Sequence, residues 1–202
     1  MRLIVAFTIA TTASLLSTAC VSSPGETPDT WPSMARTVDV PTSFAPFDVV
    51  HVQWKQRLAE PYIYLDHIGD YRQAGPRIAE LMTQAADQGA PIAGPPFILF
   101  YDDPGITPAS ALRARIAIAI EGDFTARAPL YLDTLDGANV AYAAIGGPFP
   151  DVPRAYSGML EYMASRGWAA RSPIREIYLT SPANTPPSEL VTEVQIPWYP
   201  GG

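Results

Sequence analysis

From about residue 47 onward the chain alternates apolar and polar residues in short runs that end at proline or glycine, the pattern of half-buried strands. Runs of this kind cover residues 49–54, 61–67, 97–102, 112–120, 130–135, 140–145, 173–182 and 190–196. Two stretches have helical spacing instead. The first predicts a helix over 72–88, with Ile78, Leu81, Met82 and Ala85 on one face and Gly89 as its stop. The second predicts a helix over 152–166, carrying Val152, Tyr156, Met159, Leu160 and Met163 and ending at Gly167.

These elements come in two copies. Gly69 and Gly147, Gly89 and Gly167, Pro104 and Pro182, and Ile118 and Ile196 each lie 78 residues apart. A constant, gapless offset points to an internal duplication. The expected fold is therefore α+β, a tandem βαββ duplication with halves at about 47–122 and 128–198. Pseudo-twofold symmetry would bring two antiparallel sheets together around a central cleft, with the helices outside. A cleft on such an axis suits a small molecule.

Residues 1–19 break the pattern. Met1-Arg2, an apolar run from Leu3 to Leu16 and Ser17-Thr18-Ala19 form a secretory signal peptide, too short for a membrane span. Cys20, the single cysteine of the chain, cannot make an internal disulfide. Its place after the cleavage site resembles a bacterial lipobox, although Ser17 stands where Leu is usual. Lipidation of Cys20 would anchor the protein in the cell envelope; ordinary cleavage would release a soluble secreted or periplasmic protein instead. Residues 20–46, rich in Ser, Thr, Pro and Gly, have no periodicity and are expected to be a flexible tether.

Composition narrows the function classes. With 48% apolar and 16% charged residues the chain can build a core, and its 22 prolines fit many strand ends and loops. A net charge of −7 and no Lys/Arg-rich run argue against nucleic acid as a partner. His51 and His67 are the only histidines, and no Cys/His/Asp spacing suggests a metal site. His67 beside a glycine turn reads as structural, and Asp102-Asp103-Pro104 as a capped turn. No Ser/His/Asp order, phosphate loop or dinucleotide fingerprint is present, and no cofactor is expected.

One strand carries an anomaly. Glu176 sits in the middle of the stretch bounded by Pro173 and Pro182, on the same face as Ile174 and Tyr178, whereas Arg175, Ile177 and Leu179 face the other way. Its repeat mate is Ile98, and Tyr178 is the mate of Phe100. The fold's own precedent is thus a buried apolar residue, so Glu176 is expected to point inward with a raised pKa. The alternative is a surface carboxylate paired with Arg154, Arg171 or Arg175, the last disfavoured by its opposite orientation. Tyr178 shares its face; Tyr64 and Tyr142 on central strands, and Tyr71 and Phe149 at the helix starts, complete the candidate aromatic wall. Trp168, just after a helix-ending glycine, is expected to be packing.

His67-Ile68-Gly69-Asp70-Tyr71, Tyr101-Asp102-Asp103-Pro104, Ile145-Gly146-Gly147-Pro148-Phe149 and Pro173-Ile174-Arg175-Glu176-Ile177-Tyr178, in this order, resemble the GyrI-like small-molecule-binding family. The family includes the effector-binding domains of the regulators BmrR and Rob, and the resemblance spans about 47–198. It implies the duplicated βαββ architecture and a central Glu, here Glu176, that meets cationic or planar aromatic ligands inside aromatic walls. Phe149 stands where the family commonly has Tyr. The haem-binding SOUL proteins are similar in fold, but no haem cue is present. Some family-like proteins hydrolyse cyclopropane-bearing compounds with the central Glu and aromatic hydroxyls, so no catalytic residue is assigned beyond Glu176 if there is turnover. The leading expectation is an exported, membrane-anchored binder of small amphipathic molecules, cationic or aromatic. A hydrolase of a reactive small molecule is the alternative, and an envelope protein with a vestigial pocket the third.

Overall fold

The computed structural model describes residues 39–201. In chain order these form β1 (Ser43–Phe44), β2 (Gln53–Arg57), β3 (Glu60–Ile68), α1 (Ile78–Asp87), β4 (Ile92–Phe100) and β5 (Arg113–Ile120). The second half follows with β6 (Tyr131–Leu135), β7 (Ala138–Gly146), α2 (Tyr156–Ala164), β8 (Trp168–Ala170), β9 (Ile174–Tyr178) and β10 (Val191–Pro200). Each half is ββαββ, since β2 and β6 are themselves repeat mates; β1 and β8 are additions the alternation pattern does not predict. The signal peptide and Cys20 lie outside the described residues.

Both helices start later than their spacing suggests. Residues Tyr71–Gln73, Gly75–Arg77 and Phe149–Ala155 take 3-10 turns. Pro76, past the first turn of the helix expected from residue 72, supplies no backbone N–H, so an α-helical ladder cannot run back through it. At the other end, Gly89 and Gly167 adopt φ of 65° and 67°, where a Cβ would be strained, and stop the helices one and two residues past their caps Gln88 and Ser165.

The two half-sheets meet edge to edge along β4 and β9, producing one ten-stranded sheet in the order β1-β7-β10-β9-β4-β5-β3-β6. It is not closed into a barrel. β2 pairs with the outer side of β7, and β8 with β10. The first strand of each half pairs in the other half. Gln53 lies opposite Tyr142 and Tyr131 opposite Tyr64, the same contact repeated 78 residues on. The halves are thus exchanged at their edges as well as joined at the centre.

The pseudo-twofold axis can be placed on a residue pair. Ile98 faces Glu176, with Phe97–Ile177 and Leu99–Arg175 on either side. Repeat mates are therefore direct cross-strand neighbours only at Ile98 and Glu176. From there a row crosses the sheet through Leu65, Ile116, Ile98, Glu176, Val194 and Ala143. All but Glu176 are apolar and buried. Against one end of this face packs α1 through Ile78, Leu81, Met82 and Ala85; against the other packs α2 through Met159 and Met163. Both helices cover the same face, and Glu176 lies between them.

The opposite face holds Tyr62, Tyr64, Phe97, Leu99, Ala117 and Ile177. It also holds a charge pattern that the duplication inverts. Arg115 bonds Asp133 at 2.6 Å and lies over the Tyr64 ring at 4.0 Å. At the mated positions Lys55 bonds Glu193 at 2.6 Å and lies over Tyr142 at 4.0 Å. The ion pair is kept and its polarity is reversed.

The expected tether ends sooner than residue 46. Val40 and Ser43 are buried, Ser43–Phe44 runs parallel to Ile145–Gly146, and Asp39 accepts a 2.6 Å hydrogen bond from the Tyr142 hydroxyl. Residues 39–46 therefore belong to the domain. Their lack of periodicity hid this, because a two-residue strand on a sheet edge leaves no alternation to detect.

Candidate functional site

Glu176 is 4% exposed and points to the helix-bearing face. Its Oε1 accepts a hydrogen bond of 2.5 Å from the Tyr156 hydroxyl, and its Oε2 one of 3.1 Å from the Tyr178 hydroxyl. No arginine or lysine salt bridge reaches it among the described residues. Burial pushes the carboxyl up to about 7, and the two tyrosine hydrogen bonds hold it from rising further. Burial, with the neighbouring carboxylate second, drives both tyrosine hydroxyls well above their ordinary range. The group is thus a carboxyl poised near neutrality, with hydroxyl donors on both oxygens and no permanent counter-charge.

Three elements place these atoms. β9 supplies Glu176 and Tyr178, two residues apart and so on one face. Tyr156 is the first residue of α2, and the preceding 3-10 turn at Phe149–Ala155 aims it back across the sheet. Phe149 lies 4.8 Å from the Tyr178 ring, and its mate Tyr71 lies 4.8 Å from Phe100, the mate of Tyr178. The Tyr71 hydroxyl is committed to the backbone, donating to a carbonyl at Asp102 or Arg113 and accepting from the Asp102 N–H at 2.9 Å.

Of the residues singled out from sequence, the structure gathers Glu176, Tyr178, Phe149 and Tyr71 on one face. It does not bring Tyr64 and Tyr142 there. Both are on the opposite face, because the Glu176 row passes through Leu65 and Ala143, their neighbours along the strand. Arg175 also points to that face, where it pairs with Glu60 and covers the Phe97 ring at 3.8 Å, so it is no partner for Glu176. Arg154 pairs with Asp151 at 3.3 Å. His67 is buried, its Nε2 at 3.1 Å from the Asp70 carbonyl, and no grouping that could hold a metal occurs among the described residues. Trp168 stacks on Trp198 at 3.9 Å.

Tyr156 was legible in the sequence but easily passed over. Read on α2 alone it is one more core aromatic. Its repeat mate is Ile78, the first residue of α1, buried in the matching core. Tyr156, Glu176 and Tyr178 therefore stand where the other half has Ile78, Ile98 and Phe100. One half is apolar at all three positions, and the other has acquired a carboxylate together with both of its hydroxyl partners.

A model of the GyrI-like small molecule binding domain matches residues 52–198. The chain belongs to this family. Among solved structures this GyrI-like chain is similar to the EcmrR C-terminal domain, at 15% identity and TM-score 0.67, covering 75% of this chain and 98% of that one. It is also similar to SAV2435 bound to tetraphenylphosphonium, at 18% identity and TM-score 0.51, covering 73% and 93%. A hydrolase from Listeria innocua aligns at 15% identity and TM-score 0.51, covering 73% and 91%. At these identities the likeness is one of fold. No curated protein matches the chain.

Proposed function

We propose that this GyrI-like protein binds small amphipathic molecules, cationic or aromatic, at Glu176, and that it does so outside the cytoplasm as a membrane-anchored protein. The observation that carries the binding reading is a buried carboxyl whose only hydrogen-bond partners among the described residues are tyrosines. Such a group is stable when neutral and costly when ionised, unless a cation arrives. A ligand cation would take the place of the Tyr156 or Tyr178 hydroxyl at the carboxylate, while Tyr178, Phe149 and Tyr156 present ring faces. Each cation–π contact of this kind contributes about 0.5–2 kcal/mol. Binding a cation below the Glu176 titration would expel the carboxyl proton, so affinity should rise with pH up to about 7.

Tetraphenylphosphonium, the compound bound by the structural neighbour SAV2435, is a suitable probe. Calorimetric titration at pH 8 should give saturable binding that Glu176→Gln weakens at least tenfold. At pH 5.5 buffers of different ionisation enthalpy should reveal release of about one proton per ligand bound. Equal affinity of wild type and Glu176→Gln would remove the electrostatic role of this residue.

A second reading is supported by the same geometry. A carboxyl titrating near neutrality beside tyrosine hydroxyls is suited to general acid catalysis on a reactive electrophile such as a strained ring. Turnover of such compounds that is abolished in Glu176→Ala would favour it; no turnover of any candidate would leave binding alone.

The anchoring part rests on residues 1–20. Metabolic labelling with a fatty acid should mark wild type and spare Cys20→Ser. Equal labelling of both would end it.

A further inference from the structure

We infer that the face of the sheet opposite Glu176 carries a second binding site, for a small organic carboxylate. A cavity of about 280 Å³ opens there, where the turn between β6 and β7 meets the end of β2. Arg57, Arg115, Arg171, Asp133, Tyr62 and Tyr101 are among its walls.

The guanidinium groups in this cavity are not equally engaged. Arg115 is neutralised by Asp133, which it bonds at 2.6 Å, and its Nη1 also donates to the Tyr62 hydroxyl at 2.5 Å. Arg57 is not. Its Nη2 donates to the Asp136 backbone carbonyl at 2.9 Å, while Nε and Nη1 are shielded from solvent and have no acceptor among the described residues. Buried N–H groups on a cation are costly without an acceptor, and a carboxylate toward which the guanidinium turns would satisfy them. Burial, then the neighbouring Arg175, pushes Arg57 down to about 10 against the opposing pull of Glu60 and Asp136, so it stays charged at neutral pH. Arg171 adds a further cation on the exposed side of the opening.

Charge and size select the ligand class. Arg57, Arg115 and Arg171 against Asp133 and Asp136 leave one net positive charge in the walls themselves, with Asp66 pairing with Arg115 from beyond them at 3.6 Å. That matches a monoanion, whereas the two aspartates oppose a phosphate dianion. The volume lies at the low end for ligand pockets, and the Tyr62 and Tyr101 rings border it, which favours a compact acid with a planar body. Glu176 and Arg175 are adjacent on β9 and point to opposite faces. The two sites are therefore separate and of opposite charge preference.

The test is calorimetric titration of the full chain with sodium benzoate at constant ionic strength, with sodium acetate and inorganic phosphate as comparators. Benzoate should saturate one site and bind more tightly than phosphate. Arg57→Gln should weaken benzoate about tenfold, the scale of one lost charged hydrogen-bonding partner. Arg171→Gln, an exposed position whose replacement leaves the fold intact, should weaken it about threefold through lost long-range attraction. Should Arg57→Gln fail to fold, Arg171→Gln decides. No saturation by benzoate, tighter binding of phosphate, or unchanged benzoate affinity in the Arg171 variant would overturn the assignment.

Discussion

Replacing Glu176 by Gln keeps the side chain's shape and removes its ability to ionise. The carboxyl sits at about 7 in the fold against an ordinary value of 4.5, so ionisation is disfavoured by about 2.5 pH units, or about 3 kcal/mol at about 1.4 kcal/mol per unit. The sign follows from linkage. The folded state holds the Glu176 proton more tightly than the unfolded chain, so this group's contribution is fully present below pH 4.5 and is lost as pH rises to about 7. Over that window wild type should lose about 1.4 kcal/mol per pH unit relative to Glu176→Gln, then run parallel to it at higher pH. Any fixed cost of the amide against Tyr156 and Tyr178 is independent of pH and cancels from the comparison. Carboxylates held low by their partners, such as Asp70 and Asp102, titrate identically in both proteins. The assay is urea unfolding followed by tryptophan fluorescence at unit steps from pH 4 to 9. Curves that stay parallel throughout would mean that Glu176 ionises normally, and the buried-carboxyl account would be wrong.

Tyr156→Phe should move the Glu176 titration further up, since it deletes the shorter of the two hydrogen bonds; Tyr178→Phe should do so less, and side-chain carboxyl NMR reads both. The double variant Glu176→Leu/Tyr156→Phe approaches the apolar precedent of Ile98 and Ile78. It should unfold at higher urea than wild type at pH 8, by about 1–4 kcal/mol, while losing tetraphenylphosphonium binding. Ile98→Ala, at 1% exposure on the symmetry axis, should cost about 2–5 kcal/mol in the same unfolding assay. Double-mutant cycles should give stronger coupling for Lys55–Glu193, whose carboxylate is 4% exposed, than for Arg115–Asp133, whose carboxylate is 46% exposed and whose coupling should stay under about 1 kcal/mol.

The contrast between the halves explains why a carboxylate stands at the symmetry axis in one copy and not in both. At the axis a residue meets its own repeat mate, so a carboxylate in both copies would place two like charges face to face across β4 and β9. Ile98 opposite Glu176 avoids that repulsion and supplies an apolar floor. Away from the axis the constraint is different. There Arg115–Asp133 and Lys55–Glu193 each join a residue of one half to a residue of the other at repeat-mated positions, so no residue meets its own mate and the first half can supply the cation both times.

Much of this was legible in the chain alone. The 78-residue offset and the switch between period-two and helical spacing determined two related α+β halves, because both periodicities are local consequences of backbone geometry. Comparison of the halves also marked Glu176, since a charged residue where its mate is Ile98 conflicts with the burial pattern. Tertiary structure decided what touches what. It moved Tyr64 and Tyr142 to the other face, since a residue's side of a sheet depends on register and pairing across distant strands. It drew residues 39–46 into the domain through edge contacts that carry no periodic signal. It also brought Tyr156, 20 residues from Glu176 in sequence, within 2.5 Å of the carboxylate, because the 3-10 segment Phe149–Ala155 and a helix start set its position and spacing along the chain cannot.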